Sequence, residues 1–430
     1  MNAQEAIAYI HSVSWKGSVP GLSRTRALLE KMGNPERKLQ FIHIAGTNGK
    51  GSTAAMLASV LQAAGYRAGL FTSPYITRFE ERMQVDGQEI PPEELAEITA
   101  WIRPLAESCP EAPTEFELVT CVALEFFARR QCDIVVLEAG MGGALDSTNV
   151  IPCPACAVIC NIGLDHTQFL GDTLEANAET KAGIFKQGGT CVTYPASPSV
   201  EAVFAAAAQA QQLDWHPVRF DSLCSIRHDL SGQRFDFGRH KNLQLPLLGQ
   251  MQLHNAAVAL TVLDCLQQKG WRKITEEAIH RGIAEVSWPG RFELLRRNPL
   301  FLVDGGHNPQ CMQALVENLQ RYLPGRQLVA LTGVMADKDY TAMYDQIAPY
   351  CARFIAVTPD NPRAMTASDL AKVLARYGKP VETAESVEAG VQRAIDLAGP
   401  DGVCLAFGSL YMVGTIREAV KGMRVSKKCF

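Results

Sequence analysis

Short apolar runs alternate with longer helical stretches through the first half of this sequence. Buried β-strands are predicted for these runs, at residues 39–45, 65–71, 133–138 and 157–161. Helices are predicted around them, at residues 2–12, 23–31, 52–64, 93–107 and 115–130. Ser23 is the candidate N-cap of the second helix. This alternation predicts an α/β fold with a mainly parallel sheet that is covered on both faces.

The second half of the chain restarts the alternation without repeating the motifs of the first half. Residues 200–212 are rich in Ala and predict a surface helix, and the polar residues 214–247 predict a small antiparallel excursion. Further strands are predicted at residues 300–303, 328–331, 354–357 and 403–407. Because 430 residues exceed one ordinary core, we predict two domains, residues 1–295 and 296–430, divided near residues 292–298.

Composition and charge exclude several classes of protein. Apolar residues make up 47% and charged residues 20% of the chain, and the formal net charge is −4. A general nucleic-acid binder usually carries a basic excess on one face. The first residues lack the pattern of a signal peptide, and no apolar stretch approaches the roughly 18 residues of a membrane helix. We expect a cytoplasmic monomer that binds neither nucleic acid nor membranes.

The 13 cysteines are scattered along the chain, and an odd number does not indicate a disulfide framework. Cys153 and Cys156, with Cys160 close by, resemble half of a zinc site. No second pair of cysteines or histidines follows at a suitable spacing. Reduced thiols in the core are the favoured interpretation.

The strongest chemical signal is a glycine-rich loop after the first predicted strand, at residues 45–52 (AGTNGKGS). The loop departs from the ordinary P-loop pattern, because Ile44 replaces its first glycine and Gly51 replaces the hydroxyl residue after the lysine. Its chemistry still suits nucleotide phosphates. Glycines let backbone amides turn toward an anion, Lys50 supplies positive charge, and a helix N-terminus follows. The alternative is a strand-to-helix turn without a ligand.

Further candidate residues follow the other predicted strands. Glu138 ends a strand at the edge where parallel sheets bind ligands, and it could hold the magnesium that accompanies ATP, although such residues are often caps or ion-pair partners. His166 follows the next strand and is either functional or structural. Lys181 has the wrong charge for a metal ligand, so it is a surface or phosphate-pairing lysine unless it becomes an anionic carbamate.

These segments, in this order, resemble the folylpolyglutamate synthase/dihydrofolate synthase family, a branch of the Mur ligase superfamily. The shared segments span nearly the whole chain: 43–52, 72–74, 79, 81–82, 114–117, 137–143, 145–149, 164–167, 170–171, 181–184, 255–256, 289–291, 304–309 and 407–411. The chain departs from the family pattern at Tyr75, Ala144, Thr180 and Met251. None of these is an expected phosphate or metal contact.

The resemblance implies roles for individual residues and an N-terminal P-loop domain followed by a smaller Rossmann-like α/β domain. The residues expected to bind ATP are Gly46, Thr47, Asn48, Gly49, Lys50, Gly51, Ser52, Asn255, Arg291 and Asp304. Those expected to hold two magnesium ions are Ser73, Glu138, His166 and Lys181, the last as a carbamate. Those expected to contact the pterin-bearing substrate are Arg82, Thr114, Phe116 and Asp146. The expected catalytic residues are Lys50, His166, Lys181 and His307.

The implied activity is ATP-dependent ligation of L-glutamate to dihydropteroate, to the γ-carboxylate of folate (poly)glutamates, or to both. The γ-phosphoryl group would pass to the substrate carboxylate, and the amino group of glutamate would then displace phosphate. Two alternatives stay open: a Mur ligase acting on a UDP-linked cell-wall precursor, and a P-loop ATPase that is not a ligase. The cell-wall enzyme would share the short loop but is not expected to carry both the 73–74 and the 114–117 segments.

Overall fold

The computed structural model describes residues 1–13, 21–164 and 171–425, with side chains to residue 422. Its helices are α1 (Ala3–Ser12), α2 (Ser23–Lys31), α3 (Lys50–Ala63), α4 (Pro92–Glu107), α5 (Glu115–Arg129), α6 (Leu174–Ala182), α7 (Pro198–Ala210), α8 (Gln250–Gln268), α9 (Glu276–Glu285), α10 (Pro309–Tyr322), α11 (Tyr340–Ile347), α12 (Ala367–Leu374), α13 (Val387–Ala398) and α14 (Val413–Val425).

The strands follow the same chain order. They are β1 (Phe41–Ala45), β2 (Ala68–Phe71), β3 (Met83–Val85), β4 (Gln88–Glu89), β5 (Ile134–Glu138), β6 (Cys156–Ile159), β7 (Thr190–Thr193), β8 (Asp214–Pro217), β9 (Leu223–Asp229), β10 (Gly232–Phe237), β11 (His240–Leu245), β12 (Glu293–Arg297), β13 (Leu300–Asp304), β14 (Leu328–Thr332), β15 (Cys351–Ala356), β16 (Val381–Thr383) and β17 (Val403–Phe407).

Two compact units divide the chain. Unit 1 comprises Met1–Cys224, Phe235–Gln244 and Leu253–Val286, and unit 2 comprises Ser225–Arg234, Leu245–Gln252 and Ser287–Phe430. The predicted division after residue 295 differs from this one, because residues 225–234, 245–252 and 287–295 belong to unit 2. The physical reason is that β12, which begins at Glu293, pairs with β13.

The sheet of unit 1 has the strand order β4-β3-β2-β5-β1-β6-β7-β8. The six neighbouring strands β2-β5-β1-β6-β7-β8 run parallel to one another. At one edge of the sheet, β3 pairs antiparallel with β2, and β4 pairs antiparallel with β3. The central strands β1 and β5 are buried at every residue, as their largely apolar sequences predict. Phe41, Phe71 and Phe127 belong to the hydrophobic core on this sheet.

The main sheet of unit 2 has the order β12-β13-β17-β14-β15-β16. All its neighbours are parallel except β12 and β13. Its core includes the fully buried Tyr344, Phe354 and Phe407. The prediction of an α/β fold with mainly parallel sheets is therefore confirmed for both units.

Two local predictions are wrong. Ser23 is the first residue of α2 and not its N-cap, a position that Leu22 occupies without a polar side chain. Residues 214–217 do not belong to an antiparallel excursion, because they form β8, which pairs parallel with β7. Helix α7 provides the crossover that a parallel pair requires. Strands β9, β10 and β11 do form a separate small sheet, with the order β11-β10-β9.

Two predictions about membrane helices and cysteines can be compared with the structure. Within the described ranges, no helix combines the length and hydropathy that crossing a membrane requires. Cys156 and Cys160 are buried free thiols, as predicted, whereas Cys153 is exposed.

Candidate active site

Adjacent parallel strands bring several predicted site residues of unit 1 to one edge of its sheet. Along the order β2-β5-β1-β6, the register pairs Phe71 with Leu137, Ile44 with Glu138, and Ala45 with Ile159. The strands therefore end nearly level, and the loops that follow them begin side by side. This is the carboxyl edge, where open parallel sheets bind their ligands.

The glycine-rich loop at this edge adopts a backbone conformation that favours glycine. Gly46 has a φ of 151° and Gly49 a φ of 87°. Helix α3 begins directly after Gly49, so its first-turn amides have no intrahelical partners. The Lys50 ammonium bends back and donates to the carbonyl oxygens of Gly46 and Thr47, at 3.1 and 3.2 Å. Helix amides and a cation therefore meet at one loop, which suits phosphates.

Contacts on two sides fix this loop. The Thr47 N–H donates to the Asn161 carbonyl oxygen at 2.8 Å, just beyond β6. The Thr47 hydroxyl donates to the Gly163 carbonyl oxygen at 2.9 Å. On the other side, a Cβ built on Gly49 would lie 2.4 Å from Oδ1 of Asn255, which is 3% exposed. Asn255 of α8 therefore lies against the loop. All the predicted ATP-binding residues of unit 1 are thus found in one place.

Glu138 and Ser73 are neighbours at the ends of β5 and β2. The Ser73 N–H donates to Glu138 Oε2 at 3.4 Å, and Glu138 is only 4% exposed. A carboxylate and a hydroxyl are hard oxygen donors, and Mg²⁺ often takes only one or two carboxylates together with phosphates and water. The donor chemistry of the pair therefore fits magnesium. His166, the other predicted neutral ligand, lies outside the described residues.

Lys181 lies in the last turn of α6 and is 2% exposed. The loop after β5 packs against this helix end. The Ala144 N–H donates to the Thr180 carbonyl oxygen at 2.9 Å, and a Cβ on Gly143 would lie 2.8 Å from the Lys181 carbonyl oxygen. A lysine this deeply buried is rare, because its ammonium loses hydration. Ala144 and Thr180, two departures from the family pattern, thus contact each other beside it.

The predicted substrate residue Arg82 is 9% exposed and lies among aromatic rings. Its guanidinium carbon is 5.4 Å from the ring centroids of both Tyr75 and Phe79. These distances are within the range of cation–π attraction. Arg82 also lowers the pKa of Glu115, a carboxyl group that is hydrogen-bonded to His11 and shifted chiefly by that bond.

Thr114 and Phe116 lie at the start of α5. Thr114 is the N-cap, and its hydroxyl accepts the Glu117 N–H at 3.4 Å while Glu117 accepts the Thr114 N–H at 2.7 Å. Arg24 holds the buried Glu117 carboxylate with hydrogen bonds of 2.8 to 3.1 Å. The Phe116 ring lies over Gly140, where an added Cβ would come within 2.5 Å of it. Phe116 therefore contacts the loop that follows Glu138.

Asp146 lies at the other end of that loop and is 7% exposed. Its Oδ2 accepts the Met141 N–H at 2.8 Å, and its Oδ1 accepts the N–H and hydroxyl of Thr148 at 3.0 and 2.5 Å. Burial raises the pKa of Asp146, and these hydrogen bonds oppose that rise. The Thr148 hydroxyl also lies 2.8 Å from Nε2 of His43 on β1.

Sequence reasoning assigned no role to Thr148, His43, Arg24 or Glu117. Position was the only sequence signal for three of them: His43 stands inside the shared segment 43–52, Thr148 inside 145–149 and Glu117 inside 114–117, whereas Arg24 lies in no shared segment. The separation of His43 and Thr148 in the chain, 105 residues, hides their contact from any local pattern.

The remaining predicted residues, Arg291, Asp304 and His307, form a cluster within unit 2 around the end of β13. Asp304 accepts the Phe292 and Gly306 N–H groups at 2.8 and 2.7 Å. Burial raises the pKa of Asp304, while Arg291 and the two backbone donors oppose the rise. The Gly305 carbonyl oxygen accepts from His307 Nδ1 at 3.0 Å, so Nδ1 carries the ring proton and Nε2 is the acceptor of a neutral ring.

Comparison with known proteins shows similarity along nearly the whole chain. Residues 44–263 match the Mur ligase middle domain, and residues 290–410 match the glutamate ligase domain of Mur ligases. The folylpolyglutamate synthase of Lacticaseibacillus casei is 34% identical, over 98% of this chain and 99% of its own length.

Solved structures agree with the sequence comparison. Mycobacterium tuberculosis folylpolyglutamate synthase complexed with ADP has a TM-score of 0.89 at 29% identity, covering 97% of this chain and 98% of that one. Escherichia coli FolC in complex with DHPP and ADP has a TM-score of 0.86 at 29% identity, covering 99% of each chain. The similarity includes the sheets of both units.

Proposed function

The chain belongs to the folylpolyglutamate synthase/dihydrofolate synthase family of Mur ligases, and from this premise we propose that it joins L-glutamate to dihydropteroate, to the γ-carboxylate of folate (poly)glutamates, or to both. It is an ATP-dependent ligase that uses ATP as co-substrate. The observation that carries the proposal is the carboxyl edge of the unit 1 sheet, where the glycine-rich loop lies beside Glu138 and Ser73. The glutamate ligase domain disfavours a simple ATPase, and the name of the full-length relative disfavours a cell-wall substrate.

The glycine-rich loop binds the phosphates of ATP in this proposal. The loop residues Gly46 to Ser52, which include Thr47, Asn48 and Gly51, surround the β- and γ-phosphates, and the amides of Gly51 and Ser52 in the first turn of α3 donate to them. The Lys50 ammonium exchanges its two carbonyl contacts for phosphate oxygens, which are stronger acceptors for a cation. Asn255 contributes an amide from the opposite side of the loop.

Two magnesium ions would be held by Ser73, Glu138, His166 and Lys181, the last as a carbamate. The oxygen donors of Ser73 and Glu138 and the burial of Lys181 support this assignment. When bound, the ions offset the negative charge that gathers on the phosphates. The neutral Lys181 amine forms its carbamate by attacking CO₂ and releasing one proton, which turns a repelling cation into an anionic ligand.

The reaction proceeds in two steps, phosphoryl transfer to the substrate carboxylate and then amide formation. A carboxylate oxygen of the substrate attacks the γ-phosphorus of ATP, the bond to the β-phosphate oxygen breaks, and ADP leaves. The amino group of glutamate then attacks the carbonyl carbon of the acyl phosphate, loses a proton and expels phosphate. Lys50 stabilises the charge on the transferring group, and His307 acts as a catalytic hydrogen-bonding group.

The pterin-bearing substrate is held by Arg82, Thr114, Phe116 and Asp146. The Phe116 ring packs against Gly140, which lies in the same loop as Asp146. This contact supports a binding surface that Phe116 and Asp146 share. Asp146 provides a buried carboxylate for the ring N–H groups, and Arg82 provides a buried cation for an acidic group of the substrate. Arg291 and Asp304 of unit 2 bind ATP, supported by the hydrogen-bonded setting of Asp304 at the end of β13 and by the charge of Arg291 close to it.

We further propose that the enzyme is a cytoplasmic monomer that binds no nucleic acid. The net charge of −4 supports the last point. Light scattering during gel filtration tests the oligomeric state, and the mass of one chain is the expected result.

The proposed function is tested by ADP release with dihydropteroate, tetrahydrofolate or a UDP-muramoyl substrate, each with and without L-glutamate. Turnover should require glutamate and a pterin substrate, and Lys50→Met should abolish it. The exposed Lys421→Met is the matched control and should behave as the wild type. Turnover that ignores glutamate would refute the ligase, and turnover only with the UDP-muramoyl substrate would assign the chain to cell-wall synthesis.

A further inference from the structure

A buried chain of hydrogen bonds connects strand β1 with Asp146. His43 Nε2 lies 2.8 Å from Thr148 Oγ1, and Thr148 Oγ1 lies 2.5 Å from Asp146 Oδ1. His43 and Thr148 are 0% exposed, and Asp146 is 7% exposed. His43 stands in the same strand that leads into the glycine-rich loop. Strand β1 therefore contains His43, the first residue of the hydrogen-bond chain, and leads directly into the glycine-rich loop.

The direction of the protons in this chain follows from donor and acceptor chemistry. The Thr148 hydroxyl has one proton, and the ionised Asp146 carboxylate can only accept. At 2.5 Å the hydroxyl must donate to Asp146, because two acceptor oxygens at that distance would repel. The same hydroxyl must then accept from His43, so the His43 proton is on Nε2. From donor to acceptor, the hydrogen bonds therefore run from His43 to Thr148 and from Thr148 to Asp146.

The other ring nitrogen of His43 has no such function. Its Nδ1 is buried and has no hydrogen-bond partner among the residues that the structure describes. Burial, reinforced by the charge of Lys186, lowers the pKa of His43 to about 3, so the ring stays neutral with its single proton on Nε2. An apolar residue at position 43 would avoid the energetic cost of the buried, unpaired Nδ1. All the other residues of β1 are apolar, so His43 is the exception in this strand. The Nε2–H donor is what the imidazole provides here.

We propose that His43 and Thr148 are positioning residues that orient the Asp146 carboxylate toward the N–H groups of the pterin ring. This inference rests on the proposed function, in which Asp146 contacts that ring. The Met141 and Thr148 backbone donors hold the carboxylate, and the hydroxyl bond, aligned by His43, fixes the rotation of its plane. A correctly turned carboxylate binds the donors of the ring without reorganisation, which improves affinity for the pterin substrate but not for ATP.

The test compares the KM for the pterin substrate with the KM for ATP in paired variants. Thr148→Val is nearly isosteric and removes the hydroxyl, and it should raise the pterin KM about tenfold with the ATP KM unchanged. Thr148→Ser should restore the wild-type value. His43→Leu should raise the pterin KM, His43→Gln should restore most of it, and His43→Leu should add little in the Thr148→Val background.

Thr99→Val is the matched control, because Thr99 is 0% exposed and its hydroxyl has no partner in the described part of the chain. It should leave both KM values unchanged. An unchanged pterin KM in Thr148→Val, or equal rises for pterin and ATP, would overturn the positioning role. If Thr148→Val does not fold, equal pterin KM values for His43→Leu and His43→Gln would overturn it. A wild-type enzyme without glutamate-dependent turnover would instead refute the proposed function, and this inference with it.

Discussion

The side chain of Asn255 lies against the backbone of Gly49, at a place where a Cβ would come 2.4 Å from Oδ1. Gly49 also has a φ of 87°, which disfavours other residues independently of space. Helix α8 is therefore in contact with the residue that precedes the first turn of α3. Two separate constraints, steric and conformational, require glycine at this point of the loop.

Gly49→Ala should lower kcat/KM for ATP by about 100-fold, because displacement of the loop by even about 1 Å misaligns the phosphates. The control is Gly65→Ala, since Gly65 has a similar φ of 78° but no neighbour within 4 Å in the described ranges. Gly65→Ala should destabilise the fold by about 1 kcal/mol and leave kcat/KM unchanged. Steady-state ADP release and thermal unfolding measure the two effects. Equal losses of activity in both variants would show that strain alone, and not the Asn255 contact, matters.

Lys181→Ala should lower turnover by about 100-fold, because it removes an anionic ligand from the proposed magnesium site. Short carboxylates such as acetate or formate should restore part of the activity. A ¹³C-labelled carbamate signal should appear in the wild-type protein under ¹³CO₂ and disappear in Lys181→Ala.

Lys186 is the rival for carbamylation and gives the matched control. Burial lowers the pKa of Lys186, so its amine is more often neutral and able to attack CO₂. Lys186→Ala should keep the ¹³C signal. A signal that survives in Lys181→Ala and vanishes in Lys186→Ala would contradict the assignment.

His240 in unit 1 predicts a pH dependence of stability that is independent of catalysis. Burial lowers its pKa, but hydrogen bonds with Asp264 and Glu276, at 3.1 and 2.9 Å, outweigh burial and raise the pKa above its ordinary 6.5. A pKa that is higher in the folded state favours folding when the ring is protonated. The contribution is complete below pH 6.5 and is lost as pH rises through the folded-state pKa.

His240→Gln should therefore destabilise unit 1 more at pH 6 than at pH 8.5, values chosen on either side of the expected transition. The exposed neighbour His280 provides the control, and His280→Gln should change the profile little. Apparent unfolding temperatures across this range measure the effect. A constant difference between wild type and His240→Gln at all pH values would contradict the linkage.

The sequence predicted those parts of the fold that continuous local patterns determine. The strands β1, β5 and β17 are fully buried and consist of apolar residues apart from His43 and Glu138, so their sequences identify them without tertiary information. The glycine-rich loop was also identifiable, because Gly46 and Gly49 are required by a positive φ and by close approach of their neighbours. Residues 214–217 were misassigned because half-buried, polar β8 lacks any apolar pattern, and only its pairing with β7 defines it.

The contacts between the predicted site residues could not be predicted from the sequence. Glu138 and Ser73 follow separate strands, and only the register of β2 with β5 brings them together. His43 looks like one more member of a buried strand, and its contact with Thr148 depends on how the 3₁₀ turn Ser147–Val150 packs. Such contacts arise from tertiary packing, which no local window of sequence contains.

The most direct test of the central claim follows oxygen from the substrate carboxylate. Dihydropteroate or a folate whose acceptor carboxylate carries ¹⁸O is incubated with ATP, L-glutamate and the enzyme, and the released phosphate is analysed by mass spectrometry or ³¹P NMR. An acyl phosphate requires that one labelled oxygen enter phosphate for each amide bond formed. Phosphate without label, released at the rate of amide formation or without any amide, would contradict activation of the carboxylate by phosphoryl transfer.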